Sequence, residues 1–567
     1  MKKYINYLRH VNIYFFFSFV LIQAHLFIFV FIPFIFKNQL GSWNAVRHLS
    51  LAWFSKTYLF PAFTGWNPFI FAGYPQGTFI PPLYDYAVGL FGLIFGLALS
   101  YKLLTAASLF VLPMSMYYLP KKFVFSSRES SLIMLLMMVP VMALTVSVGG
   151  DPSSVIFDKL GLSTFALPLL FFFIGKLQDD RSRKNLLMLV FMLSAIILTN
   201  HVIAFIAILA MLVKEIVEFK NYETVYLTRI LVFSLLICGS WIIPAIAYFK
   251  YCAGDLVSLN IPYSIPVSLF VLIVAGAGLV IEEKEEKILF HPAIVLILLF
   301  AVLSLTDMGL LGSRFQFTFY FLIMSMMLVY KLMYNRLNGF LRWGFVLLLF
   351  VLLGVYINGN IYNSGELSSS GKPGKVDHKK VNIGEMGTRS IMFNGEKIPV
   401  EIGGKYGRYR VDRTKPVELV YSRPQTVEKK VWDVRVEEWF KRKGKRILVK
   451  GKNIPQTVAA GSDSVKVLEQ NKQGTYIKLK VNSRKEVPIL VKTTYFPRWK
   501  AYVGGKRVKV YEASPYLMLV YGKGVVELKY GKRLADYLGW LVSIFGIAYL
   551  YVFYKKIRIR LFKKKTS

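Results

Sequence analysis

Cysteine is nearly missing from this chain, with two among 567 residues. Cys238 falls inside an apolar segment and Cys252 in a short loop, so neither a disulfide framework nor a thiolate metal site can be built from them. The signatures of soluble catalytic sites are absent too. There is no GxxxxGKS or GxxxxGKT phosphate loop, no HExxH, no GxSxG, and no GxGxxG opening a helix. Acidic side chains are scarce, 32 Asp and Glu against 70 Lys and Arg, which leaves the chain at +38.

What is abundant is apolar: 55% of the residues are hydrophobic and the mean hydropathy is +0.47. Segments such as Val11 to Phe36 run about 20 residues or more almost without charge, long enough to cross a bilayer. The first follows Met-Lys-Lys but has no small-residue cleavage site behind it, so it reads as a retained helix. Further apolar segments at 130–148, 160–176, 229–249, 264–281, 291–306, 314–333, 341–358 and 535–554 predict an α-helical polytopic membrane bundle of roughly a dozen helices.

Basic clusters fix the direction of each crossing, because Lys and Arg concentrate in cytoplasmic loops. Lys2-Lys3-Arg9, Lys121-Lys122-Arg128, Arg181-Arg183-Lys184, Lys331-Arg336-Arg342 and the tail KKIRIRLFKKK all lie inside only if the apolar pieces 83–100 and 101–119 are not both full spans, and 83–100 is expected to be re-entrant or interfacial. The apolar stretch Leu186 to Val213 lies between RSRKN and KEIVEFK, and must start and finish on one side. It is expected to be a hairpin of two short helices broken at Thr199-Asn200-His201. The scheme divides the chain into a multi-span domain at 1–358 with a long outer loop at 37–82, an extracytoplasmic domain at 359–534, and a final helix with a basic tail at 535–567. Both termini are then cytoplasmic in a multi-pass protein of the cell membrane.

Residues 359–534 change texture. TYIKLKV, WKAYV, KRVKV and VVELKY are rich in alternating β-branched and aromatic residues, and Gly504-Gly505 is a two-residue hairpin signal. An all-β sandwich is expected after a flexible linker around SSSGKPGK. Between 361 and 534 there are 38 Lys and Arg against 16 Asp and Glu. That field either favours anionic partners, such as lipid headgroups or phosphate-bearing polymers, or simply keeps the domain soluble. Nucleic acid is not an expected partner on this side of a membrane.

Chemistry must then come from polar residues at the outer boundary of the membrane. GSWNAVRHLS offers Asn44, Arg47 and His48, with Asn44 and His48 four apart on one helix face; the alternative is an interfacial helix holding headgroups. GGDPSSVIFDK offers Asp151, which is either functional or an ordinary turn with a helix cap. His201 stands at the break in the apolar hairpin, as a substrate contact or as part of a self-satisfied break. Arg314 either pairs with Asp307 or faces a phosphate. The outer loop GWNPFIFAGYPQGTFIPPLYDY is too aromatic for slack. It reads either as a lid, with Trp66 and Tyr74 toward a lipid-linked sugar, or as an interfacial belt.

WNPFIFAGYPQG followed by PPL, an acid in the second outer loop, LTNH, GSRF and the closing YFPRWKAYVGGKRVKVY together resemble YfhO-like and 6-pyruvoyl-tetrahydropterin-synthase-related integral membrane proteins, which are similar to GT-C glycosyltransferases. The resemblance implies a membrane glycosyltransferase that moves a sugar from a polyprenyl-phosphate carrier to an acceptor on the outer face. Its partners would be a lipid-linked sugar donor, membrane lipids and a glycan, protein or polymer acceptor. It implies acids in the first two outer loops that bind a divalent metal ion, Mg or Mn, or act as base. Asp151 matches the second. The first is replaced by Asn44, a weaker ligand and no base, and Asp85 just past PPL is the available substitute. The competing expectation is a catalytically degenerate relative that binds or presents lipid-linked glycan. A secondary transporter ranks last, since one broken hairpin without a repeat does not fit inverted symmetry.

Overall fold

The computed structural model describes residues 13–36, 43–69, 72–123, 125–146, 163–218, 221–251, most of 390–410, and 416–565 apart from 442–445, 472–473 and 515, together with Met327. Apart from Met327, the expected segments at 264–281, 291–306, 314–333 and 341–358, and the linker at SSSGKPGK, lie outside the described residues.

The N-terminal part is helical. Helix α1 is Ile13–Leu26, continued by wider turns through Phe27–Phe36, and α2 is Trp43–Phe54, continued through Ser55–Leu59. Then come α3 (Leu83–Phe95), α4 (Leu97–Lys122), α5 (Ser127–Val146), α6 (Ser163–Lys176), α7 (Arg183–Thr199), α8 (His201–Glu218), α9 (Asn221–Ile237) and α10 (Gly239–Tyr248). Local chemistry sets several of the ends. Glu129 accepts from the Ser126 N–H at 2.7 Å while the Ser126 hydroxyl accepts from the Glu129 N–H, a reciprocal cap for α5. Ser182 caps α7 by accepting from Asn185 N.

Among the described residues, Ile13–Ile32, Leu97–Lys122 and Leu534–Lys555 are each long and apolar enough to cross a membrane, and the bent pair Thr224–Ile237 with Gly239–Tyr251 is a fourth if counted as one span. Their outer faces carry side chains that a water-soluble protein would bury: Phe17 is 65% exposed, Ile246 71% and Leu541 62%. Such faces suit hydrocarbon, where apolar contact carries no penalty and the helix satisfies its own backbone.

Helix α3 has 13 residues, about 20 Å at 1.5 Å per residue, short of the roughly 30 Å hydrocarbon core. The expected short piece 83–100 is thus split. It ends at Gly96, whose φ of +79° suits glycine, and residues 97–100 belong to α4. The break in the apolar hairpin falls at Asn200, whose side-chain oxygen accepts from Val202 N at 2.9 Å and Ile203 N at 3.2 Å and so starts α8. Asn185, at the start of α7, donates to the Lys176 and Asp180 carbonyls, while Lys214, near the end of α8, donates to Gln178. Both helices therefore begin and end beside the same α6–α7 connection, which makes them antiparallel.

That connection also gathers charge. Asp179 accepts from Lys122 and from Lys176 at 2.5 Å, with the Tyr118 hydroxyl at 3.1 Å. Arg128, six residues beyond Lys122, lies 5.0 Å over the Tyr14 ring at the start of α1. Basic residues from the ends of α4, α6 and α8 and the start of α5 thus meet at one end of the bundle.

The expected single segment at 229–249 is instead two helices bent by 75° at Cys238. The bend is held by the last helix, α12, which follows a helix α11 (Trp432–Lys441) and spans Leu534–Lys565. Ser543 of α12 accepts from Ser240 N and donates to Ile237 O, both at 2.8 Å, so the backbone groups freed by the bend find partners without water. Gly539 and Gly546 let α12 come this close, since a Cβ on Gly539 would lie 2.8 Å from Gly239 O.

Among the described residues of the C-terminal region, Ser390–Phe393 pairs with Glu396–Pro399 and Glu401–Gly404 with Gly407–Arg410 as separate hairpins, and two larger sheets share a buried cluster. One contains, in order, Ser464–Gln470, Tyr476–Asn482, Gly524–Tyr530, Trp499–Val503 and Lys506–Val508. The other contains Val417–Leu419, Val487–Thr494, Leu517–Gly522, Val510–Ala513, Leu448–Lys450 and Gln425–Val427. Leu479, Val526 and Leu528 of the first share a buried cluster with Ile489, Val491 and Val520 of the second. Gly504 and Gly505 both have positive φ and join Val503 to its partner Lys506, the two-residue turn expected there. The all-β expectation needs one correction. Gln425–Val427 pairs in parallel with Leu448–Lys450, a parallel pair needs a crossover, and α11 supplies it with Trp432 and Val436 buried.

Candidate functional site

Two features at the end of the bundle opposite the Asp179 cluster stand out, a buried histidine–carboxylate pair and the clamp above it. Helix α2 carries Asn44, Arg47 and His48 on its first two turns, and Asp85 lies in the first turn of α3, where the helix dipole favours an anion. The two helices approach closely: a Cβ on Gly89 would lie 3.0 Å from Ala52 O, and Lys56 donates to Gly92 O at 2.9 Å. This brings His48 Nδ1 to 2.7 Å from Asp85 Oδ1, with the two side chains 12% and 7% exposed.

With Asp85 ionised, Nδ1–H is the donor and Nε2 is left as the ring's basic nitrogen, the orientation that a positioned general base requires. The Tyr84 ring meets the imidazole at 5.7 Å, with the two rings at 86°. The Thr105 hydroxyl donates to Tyr101 O at 2.7 Å, so the Tyr84 hydroxyl must donate to Thr105, 2.9 Å away. Tyr84 also meets Phe165, which places the pair beside the start of α6.

The long loop is folded down and locked. Gly65–Asn67 pairs with Tyr74–Gln76, Asn67 donates to Gln76 at 2.7 Å, and Gln76 donates to Leu51 O and Ser55 Oγ of the α2 segment, both at 2.8 Å. Trp66 is 1% exposed and packs on Trp499, 5.4 Å away at 83°, and on Tyr530 at 5.1 Å. Thr494 N donates to Ala72 O at 2.8 Å, joining loop to sandwich through the backbone. Arg498 completes the clamp. Its guanidinium, fully buried, donates to Asp536 at the start of α12, to Thr78 of the loop and to the Tyr530 hydroxyl, and lies 4.8 Å over Tyr248 of α10. Burial pushes the Tyr530 hydroxyl up to about 12, so it stays neutral and can accept from Arg498.

The expected site residues therefore divide. His48 and Asp85 are brought together. Asn44 and Arg47 share helix α2 with His48. His201 is half-buried as the first residue of α8, at the same end of the bundle, where the α7–α8 break lies. Asp151 and Arg314 lie outside the described residues. Trp66 is a correction to the lid reading: its ring is taken up by Trp499, Tyr530 and Phe496, so it anchors the loop to the sandwich and offers no face to a sugar. Tyr74 is half-buried in the same hairpin. Thr105, Arg498 and Asp536 carry weight that sequence reasoning did not give them. The only hint was an arginine in the aromatic setting YFPRWKAY.

Among the described residues no three His, Cys, Asp or Glu side chains converge as metal ligands, and Asp85 Oδ1 is already taken up by His48. The described pair does not by itself fit a divalent ion. Comparison with protein-family models, with curated proteins and with solved structures finds no match to this chain.

Proposed function

We propose that this chain is a membrane glycosyltransferase that transfers a sugar from a polyprenyl-phosphate carrier to an acceptor at the outer face, with His48 as general base held by Asp85. The observation that supports it is the buried 2.7 Å His48–Asp85 contact beneath a locked loop. It restores a carboxylate beside α2, where Asn44 stands in place of the expected acid. In the step, the acceptor hydroxyl attacks the anomeric carbon and its proton passes to His48 Nε2. The bond from that carbon to the carrier phosphate breaks, and polyprenyl phosphate leaves with the electron pair. Asp85 keeps the imidazole in the tautomer that accepts. Asp151 belongs to the proposal as a second acid, as base or as ligand of a divalent ion.

The test is transfer in isolated membranes with a panel of polyprenyl-phosphate sugars, read alongside mass analysis of lipid-linked and surface glycans in cells with and without the protein. His48→Gln and Asp85→Asn should each lower transfer by roughly 10²-fold, with Asn44→Asp keeping or raising it. Full activity in both pair variants removes the pair from the reaction. No transfer by the wild type with any donor, together with saturable retention of a lipid-linked sugar, favours a non-catalytic glycan-binding relative; the Asn44 departure is the residue-level ground for that reading.

A further inference from the structure

The outward face of the five-stranded sheet carries like charges directly opposed. Lys466 pairs across the strands with Lys480, and Lys500 with Lys529. Such pairs face the same side and repel, which makes them unfavourable in a sheet whose only requirement is solubility. Glu527 relieves part of the charge by accepting from Lys529 at 2.6 Å, and Glu469 stands opposite Lys478. Lys466, Lys480 and Arg507 are exposed and keep the excess positive.

Two aromatic rings lie among these cations. Tyr476 and Tyr502 flank Lys529, whose ammonium is 5.5 Å from one ring centroid and 5.4 Å from the other. The strand that holds Lys529 leads through Gly531 into α12, so its rung, with Tyr476 and Lys500, is nearest the bundle. The rung of Lys478 and Tyr502 comes next, and that of Lys466 and Lys480 is farthest out. The face is thus a track leading away from the helix end, not a patch turned toward it.

We infer that this sheet face binds an acidic polysaccharide, its carboxylates or other anionic groups lying between the opposed lysines and its sugar rings against Tyr476 and Tyr502. The alternating cation and aromatic ring select for this occupant. Charge alone would suit any polyanion, but sugar rings add apolar C–H faces that stack on tyrosine, and regularly spaced anions match regularly spaced rungs. Lipid headgroups fit less well, because the Lys466–Lys480 rung is the one farthest from α12. The inference stands apart from the His48–Asp85 chemistry.

The experiment uses the full chain in nanodiscs of zwitterionic lipid, with polygalacturonate as probe, neutral dextran as its uncharged counterpart and inorganic polyphosphate as an anion without sugar. Polygalacturonate should bind and dextran should not, and affinity should fall steeply between about 50 and 200 mM salt. Lys466→Gln with Lys480→Gln should weaken binding about tenfold without lowering the thermal midpoint, because a repulsive pair is removed. Tyr502→Ala should weaken polygalacturonate and leave polyphosphate unchanged. The inference is overturned if the wild type binds polygalacturonate with no salt dependence or not at all, or if the lysine variants bind as the wild type does. It is also overturned if Tyr502→Ala weakens both probes equally, or if the face captures phosphatidylglycerol vesicles in preference to polygalacturonate.

Discussion

Gly73 lies so close beneath Trp66 that an added Cβ would stand 2.2 Å from the indole Cζ2, at a φ of +105° that L side chains rarely adopt. The outer loop and the sandwich are joined at this contact, because the same indole packs on Trp499 and Tyr530. Gly73→Ala should destabilise the closed loop by about 2 kcal/mol, through strain and overpacking together. Hydrogen exchange over 60–80 and 494–500 should rise in both segments at once. A rise confined to the loop would show that Trp66 does not couple them.

Arg498 and Asp536 form a second joint, with both side chains almost fully buried. Removing one partner leaves an uncompensated charge, so Arg498→Met or Asp536→Ala should each cost about 3–5 kcal/mol. The double variant Arg498→Met with Asp536→Leu should cost clearly less than the sum of the single changes. Additive losses in urea unfolding would mean that Thr78 and Tyr530, not Asp536, are the partners that matter.

Acid should loosen the opposite end of the bundle. Burial by itself would raise the Asp179 carboxyl, but hydrogen bonds from Lys122 and Lys176 outweigh it and hold it below its ordinary 3.8. A folded-state value below the unfolded one gives stability that is fully present above that ordinary value and lost as pH falls through the lower folded one. Between about pH 5 and pH 3 the wild-type thermal midpoint should fall more than that of Asp179→Asn. Parallel curves would show that the contact contributes nothing.

The proposed orientation puts the sandwich outside and the basic tail inside. A single cysteine at position 463 should react with an impermeant thiol reagent in intact cells, while one at 565 should react only after the membrane is opened. The reverse pattern would invert the topology and place the His48–Asp85 pair on the wrong side for a lipid-linked donor.

Much of this architecture is legible residue by residue. The polar triplet Thr199-Asn200-His201 marks a helix break because an unpaired amide in an apolar run must find backbone partners, and Asn200 finds them two and three residues ahead. Gly504-Gly505 marks its turn because two consecutive positive φ angles are cheap only for glycine. The bend at Cys238 left no such mark, since the groups that satisfy it come from Ser543, about 300 positions away in the chain.

By itself the sequence determined the kind of protein: apolar helices, a break at Asn200, basic residues grouped so that they can share one end, and a β-rich region before a last helix. These follow from periodicity, hydropathy and turn chemistry, which act between near neighbours. The tertiary structure alone decided that Asp85 is the partner of His48, that Trp66 faces the sandwich instead of a substrate, and that Arg498 ties loop, sandwich and last helix to Asp536. The physical reason is that a buried charge or indole must be matched by whichever group the packing of distant elements brings within a few ångströms. That choice depends on helix approach and strand register, which no local window of sequence contains.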